Sequence, residues 1–309
     1  MIHSELPPSA KRSLFKEALS RDGLLQFPGA LNPLSARLIE GHGFDGVYIS
    51  GAVLSAELGL PDIGLTTLTE VAKRAQETSR VISLPTLVDA DTGFGEPMNV
   101  ARTTQILEDA GVSALHIEDQ VNPKRCGHLD GKAVVDEETS VKRIRSAVDA
   151  RRDANLTIVA RTDIRSIAGF DETIRRAKAL RDAGADAIFP EALASLSEYE
   201  RLANEVGLPV IANMTEFGKT ELFPASELRN VGVKIAIYPV SLLRVAMGAA
   251  DRALSVLRSE GSLESLLPDM QTRAELYDLL DYESYNQFDS SIYNFSLPQA
   301  HEEPVRERS

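Results

Sequence analysis

Eight short apolar runs punctuate the chain: Leu24–Pro28, Gly46–Ser50, Leu84–Asp89, Ala114–Asp119, Thr157–Asp163, Ala187–Glu191, Pro209–Asn213 and Lys234–Pro239. They lack the polar alternation of a half-exposed strand, so each reads as a strand covered on both faces, as in a parallel sheet. Amphipathic stretches lie between them, among them Pro97–Ala110, Glu137–Ala154 and Asp171–Ala183. Gly43, Gly111, Gly184, Gly207 and Gly232 stand just before the next strand, where a left-handed cap ends a helix. The string Asp109-Ala110-Gly111-Val112 returns as Asp182-Ala183-Gly184-Ala185, the mark of a repeated strand–helix unit. Eight such units predict a (β/α)8 TIM-type barrel with extra C-terminal helices. An open doubly wound sheet would ordinarily have fewer strands and a G-x-G-x-x-G loop after one of them, and no such loop follows a strand here.

One domain is expected over residues 1–309, with the barrel at about 20–258 and C-terminal helices and tail at about 259–309. Residues 1–12 read as a mobile or docking arm. Val240–Ser259 reads as one long helix, Leu263–Leu280 as further helix, and Asp281–Ser309 as a polar tail ordered for part of its length. The formal net charge of −13 argues against nucleic acid or an anionic membrane as a general partner, though not against a small anionic substrate met by a few arginines. A single cysteine excludes an intramolecular disulfide and fits a reducing compartment. Met1–Lys16 has no signal-type apolar core, and no run reaches the ~18 apolar residues of a membrane span. A cytoplasmic protein is expected.

In such a barrel the chemistry belongs at the C-terminal ends of the strands. Polar residues gather there: Tyr48 and Ser50, Asp89 and Asp91, His116, Glu118 and Asp119, Arg161 and Asp163, Glu191, Asn213 and Thr215, with Arg244 beyond the last strand. Acids at strand ends are often only solvated or capping helices, but seven successive polar strand ends are hard to ascribe to that. Asp89 and Asp91, two apart, face one side of an extended chain and suit Mg2+, which takes one or two carboxylates. Zinc is disfavoured, since five scattered histidines and one cysteine give no ligand spacing. Arg161, Arg244 and Arg273 can grip carboxylates bidentately.

The cysteine itself sits in Lys124-Arg125-Cys126-Gly127-His128. A lone cysteine is ordinarily a small buried hydrophobe. Here its flanks are charged and the segment reads as a loop after a strand. Neighbouring cations favour thiolate and make the group a usable proton donor. Gly127 lets backbone approach a ligand, and Lys124, Arg125 and His128 can meet an anionic one. A divalent cation, arginines and an activated thiol suit a small polycarboxylate cleaved or isomerised with carbanion character.

Lys-Arg-Cys-Gly-His resembles the signature of the isocitrate lyase superfamily, its arginine in second place being common in methylisocitrate lyases. The similarity runs from about Leu24 to Arg273, with Asp89-Ala90-Asp91-Thr92-Gly93-Phe94-Gly95 as a second motif. It implies that Asp89 and Asp91 serve Mg2+ (Mn2+ as a substitute), with Asp62 and Glu118 nearby through water. It implies substrate contacts from Ser50, Gly51, Ala52, Gly127, Arg161, Glu191, Asn213, Thr215, Arg244 and Arg273. Cys126 is then the acid that protonates a succinate-side carbanion, while Tyr48 and Glu118 stay open as the base. Phe189 and Ile237 match positions that differ between methylisocitrate and isocitrate lyases, and on the barrel reading point beside the substrate's reacting end. One departure stands out: Gly51-Ala52-Val53 follows Ser50 where family members often have three glycines.

The implied activity is cleavage of 2-methylisocitrate to pyruvate and succinate in propionate breakdown, by a homotetramer with exchanged C-terminal helices. Isocitrate lyases are usually longer, with a large insertion. Phosphoenolpyruvate mutases and oxaloacetate-type decarboxylases share fold and metal site but lack the cysteine loop. A non-catalytic polycarboxylate-binding barrel is the reading from another class, and Mg2+-dependent turnover separates it.

Overall fold

A computed structural model describes residues 4–125, 131–218 and 220–294. Its strands are β1 (Leu25–Pro28), β2 (Val47–Ile49), β3 (Thr86–Asp89), β4 (Ala114–Glu118), β5 (Thr157–Thr162), β6 (Ala187–Pro190), β7 (Val210–Asn213) and β8 (Val233–Tyr238). All pair in parallel in the order β1-β8-β7-β6-β5-β4-β3-β2, and a bridge from Gly29 to Tyr48 brings β1 round to β2. This is the (β/α)8 barrel that the eight runs predict. Every residue of β2 through β7 is buried, as strands covered on both faces must be. At the seam only glycine fits: a Cβ on Gly29 would lie 2.0 Å from the Pro239 carbonyl oxygen.

Alternate strand residues divide the core. One set, with Ile49, Val88, Leu115, Ile117, Ile158 and Ile188, packs outward against the helices. The other, with Phe27, Leu87, Ala114, Val159, Phe189 and Ile237, fills the barrel. Phe15 joins this inner set, its ring 5.6 Å from that of Phe27.

Phe15 belongs to a helix, Pro8–Ser20, so residues 8–12 are not an arm. The segment is polar in composition, yet its cations are docked. Lys11 Nζ donates to Ile82 O at 3.1 Å and Arg12 Nε to Val112 O at 2.8 Å, satisfying carbonyls at the foot of the barrel. Residues 1–3 lie outside the described residues.

The chain forms two compact units, parting between Asp269 and Met270. The first ends with the helix Ser241–Glu260 and a 3-10 turn, Glu264–Asp269. The second has helices Arg273–Leu279 and Tyr282–Tyr293, joined by stacking of Tyr277 on Tyr282 at 4.8 Å. The expected helix Leu263–Leu280 is therefore two pieces. Pro268 cannot continue a regular helix, and Thr272 with Glu275 forms a capping box that starts the next one. Much of the expected polar tail is the helix Tyr282–Tyr293, while residues 295–309 lie outside the described residues. No helix among the described residues is long and apolar enough to cross a membrane.

Candidate active site

Following the inward-facing residues up each strand leads from hydrocarbon to polar groups. Leu87 gives way to Asp89, Ala114 to His116 and Glu118, Val159 to Arg161 and Asp163, Phe189 to Glu191, and Ile211 to Asn213 and Thr215. The period of two that fills the barrel also aims these groups at its C-terminal mouth. A cavity of about 140 Å³ opens there, lined by Tyr48, Ser50, Ala52, Asp62, Asp89, Lys124, Arg125, Arg161, Glu191, Asn213, Thr215 and Arg244. A larger cavity of about 650 Å³ adjoins Asp91 but is walled mainly by Thr66, Thr67, Thr92, Asn99, Arg102 and Asn122. The convergent charges line the smaller one.

Asp89 ends β3, and Asp91 follows in a left-handed turn with φ of 46°. Strand alternation therefore does not align the two carboxylates; the turn does. The Asp91 N–H donates to Asp89 Oδ1 at 2.9 Å. A Cβ built on Gly51 would sit 3.0 Å from Asp89 Oδ2 and 3.5 Å from Asp91 Oδ1, so both carboxylates converge on one place beside that glycine. Lys124 Nζ lies 2.9 Å from Asp91 Oδ1 and also pairs with Asp62. The buried Glu118 Oε1 has no hydrogen-bond partner among the described residues. Burial raises the Asp89 carboxyl, but His116, Lys124 and Arg161 outweigh it and hold the group at about 2. Burial and the charge of Asp89 push Asp91 up to about 6.

Two buried carboxylates that converge on one place suit a hard cation. No three His, Cys, Asp or Glu side chains among the described residues are placed to encage a metal. An ion held by one or two carboxylates, with water or substrate completing its shell, is the habit of Mg2+ and not of structural zinc.

Tyr48 Oη lies 2.7 Å from His116 Nε2, and His116 Nε2 lies 3.7 Å from Asp89 Oδ1. Burial, with Arg161 and Lys124 and against the pull of Asp89, lowers His116 to about 4, so its ring is neutral near pH 7. Burial, then Asp89, raises the Tyr48 phenol well above its ordinary value. His116 had no role beyond its place in the polar strand end. Its inward position between Ala114 and Glu118 was the available signal.

Arg161 is ringed by acids. Its Nε lies 3.0 Å from Asp163 Oδ2 and 3.2 Å from Glu118 Oε2, and its Nη2 lies 3.5 Å from Glu191 Oε2. Its guanidinium rests over the Phe189 ring at 5.0 Å. Glu118 is fully buried and, against the pull of Arg161, burial drives its carboxyl well above the usual range. Thr215 Oγ1 donates to Asn213 Oδ1 at 2.6 Å, and Asn213 Nδ2 reaches both Glu191 oxygens at 3.4 Å. Asp119 braces the ensemble from outside, accepting from Thr162 Oγ1, the Asp163 N–H and Arg176.

The remaining expected residues have diverse places. Ser50 caps the helix Gly51–Glu57, so the departure Gly51-Ala52-Val53 forms its first turn; Ala52 borders the cavity and the Gly51 N–H faces Asp89 Oδ2 at 3.4 Å. Gln120 fixes Arg125, giving to its carbonyl and taking from its N–H, each at 2.9 Å. Arg244 borders the cavity with its guanidinium over Phe217 at 5.1 Å. Phe189 and Ile237 are fully buried in the barrel's inner layer and do not border the cavity. Arg273 begins a helix of the C-terminal unit. Cys126, Gly127 and His128 lie outside the described residues.

The family model described as phosphoenolpyruvate phosphomutase matches residues 15–258. A probable 2-methylisocitrate lyase 2 of Corynebacterium glutamicum is 53% identical over 296 residues, covering 96% of this chain and 96% of its own. A 2-methylisocitrate lyase of Aeropyrum pernix is 45% identical, covering 90% of each chain. Among solved structures, oxaloacetate acetylhydrolase with 3,3-difluorooxalacetate superposes with a TM-score of 0.88 at 32% identity, covering 94% of this chain and 99% of that one. Phosphonopyruvate hydrolase in complex with oxalate and Mg++ gives 0.81 at 26% identity, covering 92% and 99%.

Proposed function

We propose a reaction for a chain that belongs to the 2-methylisocitrate lyases of the phosphoenolpyruvate mutase/isocitrate lyase superfamily: cleavage of 2-methylisocitrate to pyruvate and succinate. The observation that carries it is the one cavity where the Asp89 carboxylate, the Tyr48 phenol, Arg161 and Arg244 converge, beside the segment that leads to Cys126. A cation site at one edge and guanidinium groups at another match a substrate with several carboxylates.

Mg2+, or Mn2+ in its place, would be held by Asp89 and Asp91, with Asp62 and Glu118 reached through water. When bound, it supplies positive charge that makes substrate oxygens more acidic and steadies charge developing on them. The protein's own groups do the rest. Arg161 and Arg244, which border the same cavity, grip carboxylates. Ser50, Gly51, Ala52, Gly127, Glu191, Asn213 and Thr215 orient the substrate.

Tyr48 lines the cavity and Glu118 does not, which favours Tyr48 as the group that takes the hydroxyl proton. A free phenolate is costly there, since burial and Asp89 raise its pKa. Tyr48 therefore accepts the substrate proton as it passes its own to His116 Nε2, and the imidazolium so formed faces Asp89. The hydroxyl oxygen becomes the pyruvate carbonyl as the carbon–carbon bond breaks. The bond's electron pair stays with the succinate half, and Cys126 returns a proton to that carbon, with Lys124, Arg125 and His128 stabilising its thiolate. Atoms and electrons balance without a redox partner.

We place the reaction in propionate breakdown in the cytoplasm, in a homotetramer with exchanged C-terminal helices. Support for the assembly comes from the helix Ser241–Glu260, which carries apolar residues yet buries none. The deciding experiment incubates the purified chain with 2-methylisocitrate and Mg2+ and follows both products by NMR. Equimolar pyruvate and succinate are expected. No turnover of 2-methylisocitrate alongside turnover of isocitrate or oxaloacetate would reject the reading.

A further inference from the structure

Lys132 stands at the exit of a paired stem. Gln120 bridges Val134 antiparallel, Val121 N–H donates to Ala133 O at 2.9 Å and Val135 N–H to Asp119 O at 2.8 Å. From this stem the Lys132 side chain turns into the barrel, where Nζ meets Asp163 Oδ1 at 2.8 Å. The two side chains are 2% and 0% exposed. Asp163 also accepts from Arg161, through Nε at 3.0 Å and Nη2 at 3.4 Å. One buried carboxylate thus lies between two cations.

Arg161 has a difficult task on the reading above. It must attract a substrate carboxylate while Asp163, Glu118 and Glu191 already surround it. A guanidinium whose charge is spent on neighbouring acids offers little to an incoming anion, and a buried acid with only Arg161 for company would pull it from the cavity. A second cation on Asp163 relieves both effects.

We propose that Lys132 is a positioning residue: by sharing Asp163 it leaves Arg161 the charge and orientation needed to bind a substrate carboxylate. The proposal rests on Arg161 being such a grip, and its test separates the two ideas.

Oxalate affinity is measured by calorimetry with Mg2+ present, at a temperature below every variant's melting transition. Arg161→Lys should weaken oxalate at least tenfold, and Lys132→Met by about 10- to 100-fold, the range for a charge-assisted contact. Lys132→Arg should restore binding to within about threefold of wild type. Adding Asp163→Asn to Lys132→Met should recover much of the loss, because the acid that captures Arg161 is then neutral. A purely structural ion pair would shift the melting transition of Lys132→Met and leave the oxalate affinity of the folded variant within about threefold of wild type. Where Lys132→Met fails to fold, Asp163→Asn alone is compared with the double variant, and the two should agree within about threefold. A tenfold gap between them, or unchanged oxalate affinity in Lys132→Met while Arg161→Lys is impaired, overturns the role of Lys132. Unchanged affinity in Arg161→Lys overturns the grip itself.

Discussion

The Tyr48 phenol and the His116 imidazole lie in nearly parallel planes, 7° apart, with Oη 2.7 Å from Nε2. Neither group is a strong base alone, because burial disfavours both phenolate and imidazolium. If they pass the proton as a unit, removing either should cost nearly what removing both costs. Tyr48→Phe and His116→Phe are each expected to lower kcat by about 10²–10⁴-fold, the span of general acid–base catalysis. The double variant should fall little further. Losses that multiply in steady-state kinetics would mean the two act separately.

Cys126→Ser is expected to keep product binding and lose about 10²–10⁴-fold in kcat, because a hydroxyl is a far weaker acid than a thiol. Titration with succinate supplies the binding control. A serine variant within a few-fold of wild-type kcat would assign the proton to another group.

Exhaustive chelation should abolish cleavage, with Mg2+ or Mn2+ restoring it. Asp89→Ala should raise the metal concentration needed for half-maximal rate, since it removes one of the two carboxylates that converge beside Gly51. Full activity after chelation would leave the aspartates a structural role.

Much of this was legible from periodicity. Apolar runs gave the strands, and their parity put Asp89, Glu118, Arg161, Glu191 and Asn213 on the inner face. Parity does not tell which of two neighbours covers the other. Arg161 and Phe189 are register partners, as are Asn213 and Ile237, and the polar member of each pair borders the cavity above its apolar partner. Phe189, expected beside the substrate's reacting end, carries the Arg161 guanidinium over its ring. Lys132 and Asp163 are 31 residues apart, and no local pattern announces a pairing of that kind. Residues 8–12 belong to a helix and not to an arm because Lys11 and Arg12 serve buried carbonyls contributed by residues far along the chain.

Lys11 yields a stability prediction. Burial lowers its pKa from 10.5 to about 8, with Glu40 opposing and Arg12 assisting. Between those values the unfolded chain retains a proton that the folded chain has released, so this position's contribution to stability rises with pH across the window. Below it, the folded state bears the full cost of the buried charge. In urea titrations, wild type should therefore gain on Lys11→Met as the pH rises from about 7 to about 10. A difference that stays flat or shrinks would show that the ammonium is not depressed in the folded chain.

The helix Ser241–Glu260 leads to the last expectation. Leu243, Met247, Ala250, Leu254 and Leu257 recur at alternating spacings of four and three, the stripe of a helix that packs against another surface. Met247, Leu254 and Leu257 are nevertheless 60%, 66% and 45% exposed, and none of the helix's residues is buried. Contiguous apolar surface of this kind marks an interface in a stable protein. An apolar groove of about 490 Å³ between β1, β8 and the helix Pro33–Gly41, lined by Pro28, Leu38, Ile39, Phe44 and Leu242, is surface that a second copy's helix could cover. Leu254→Glu combined with Met247→Glu should therefore lower the assembly size measured by light scattering, since burying two new charges costs several kcal/mol. Activity should fall with it if exchanged helices complete the site. A wild-type chain that is monomeric at micromolar concentration, and active as such, would rule out the exchange.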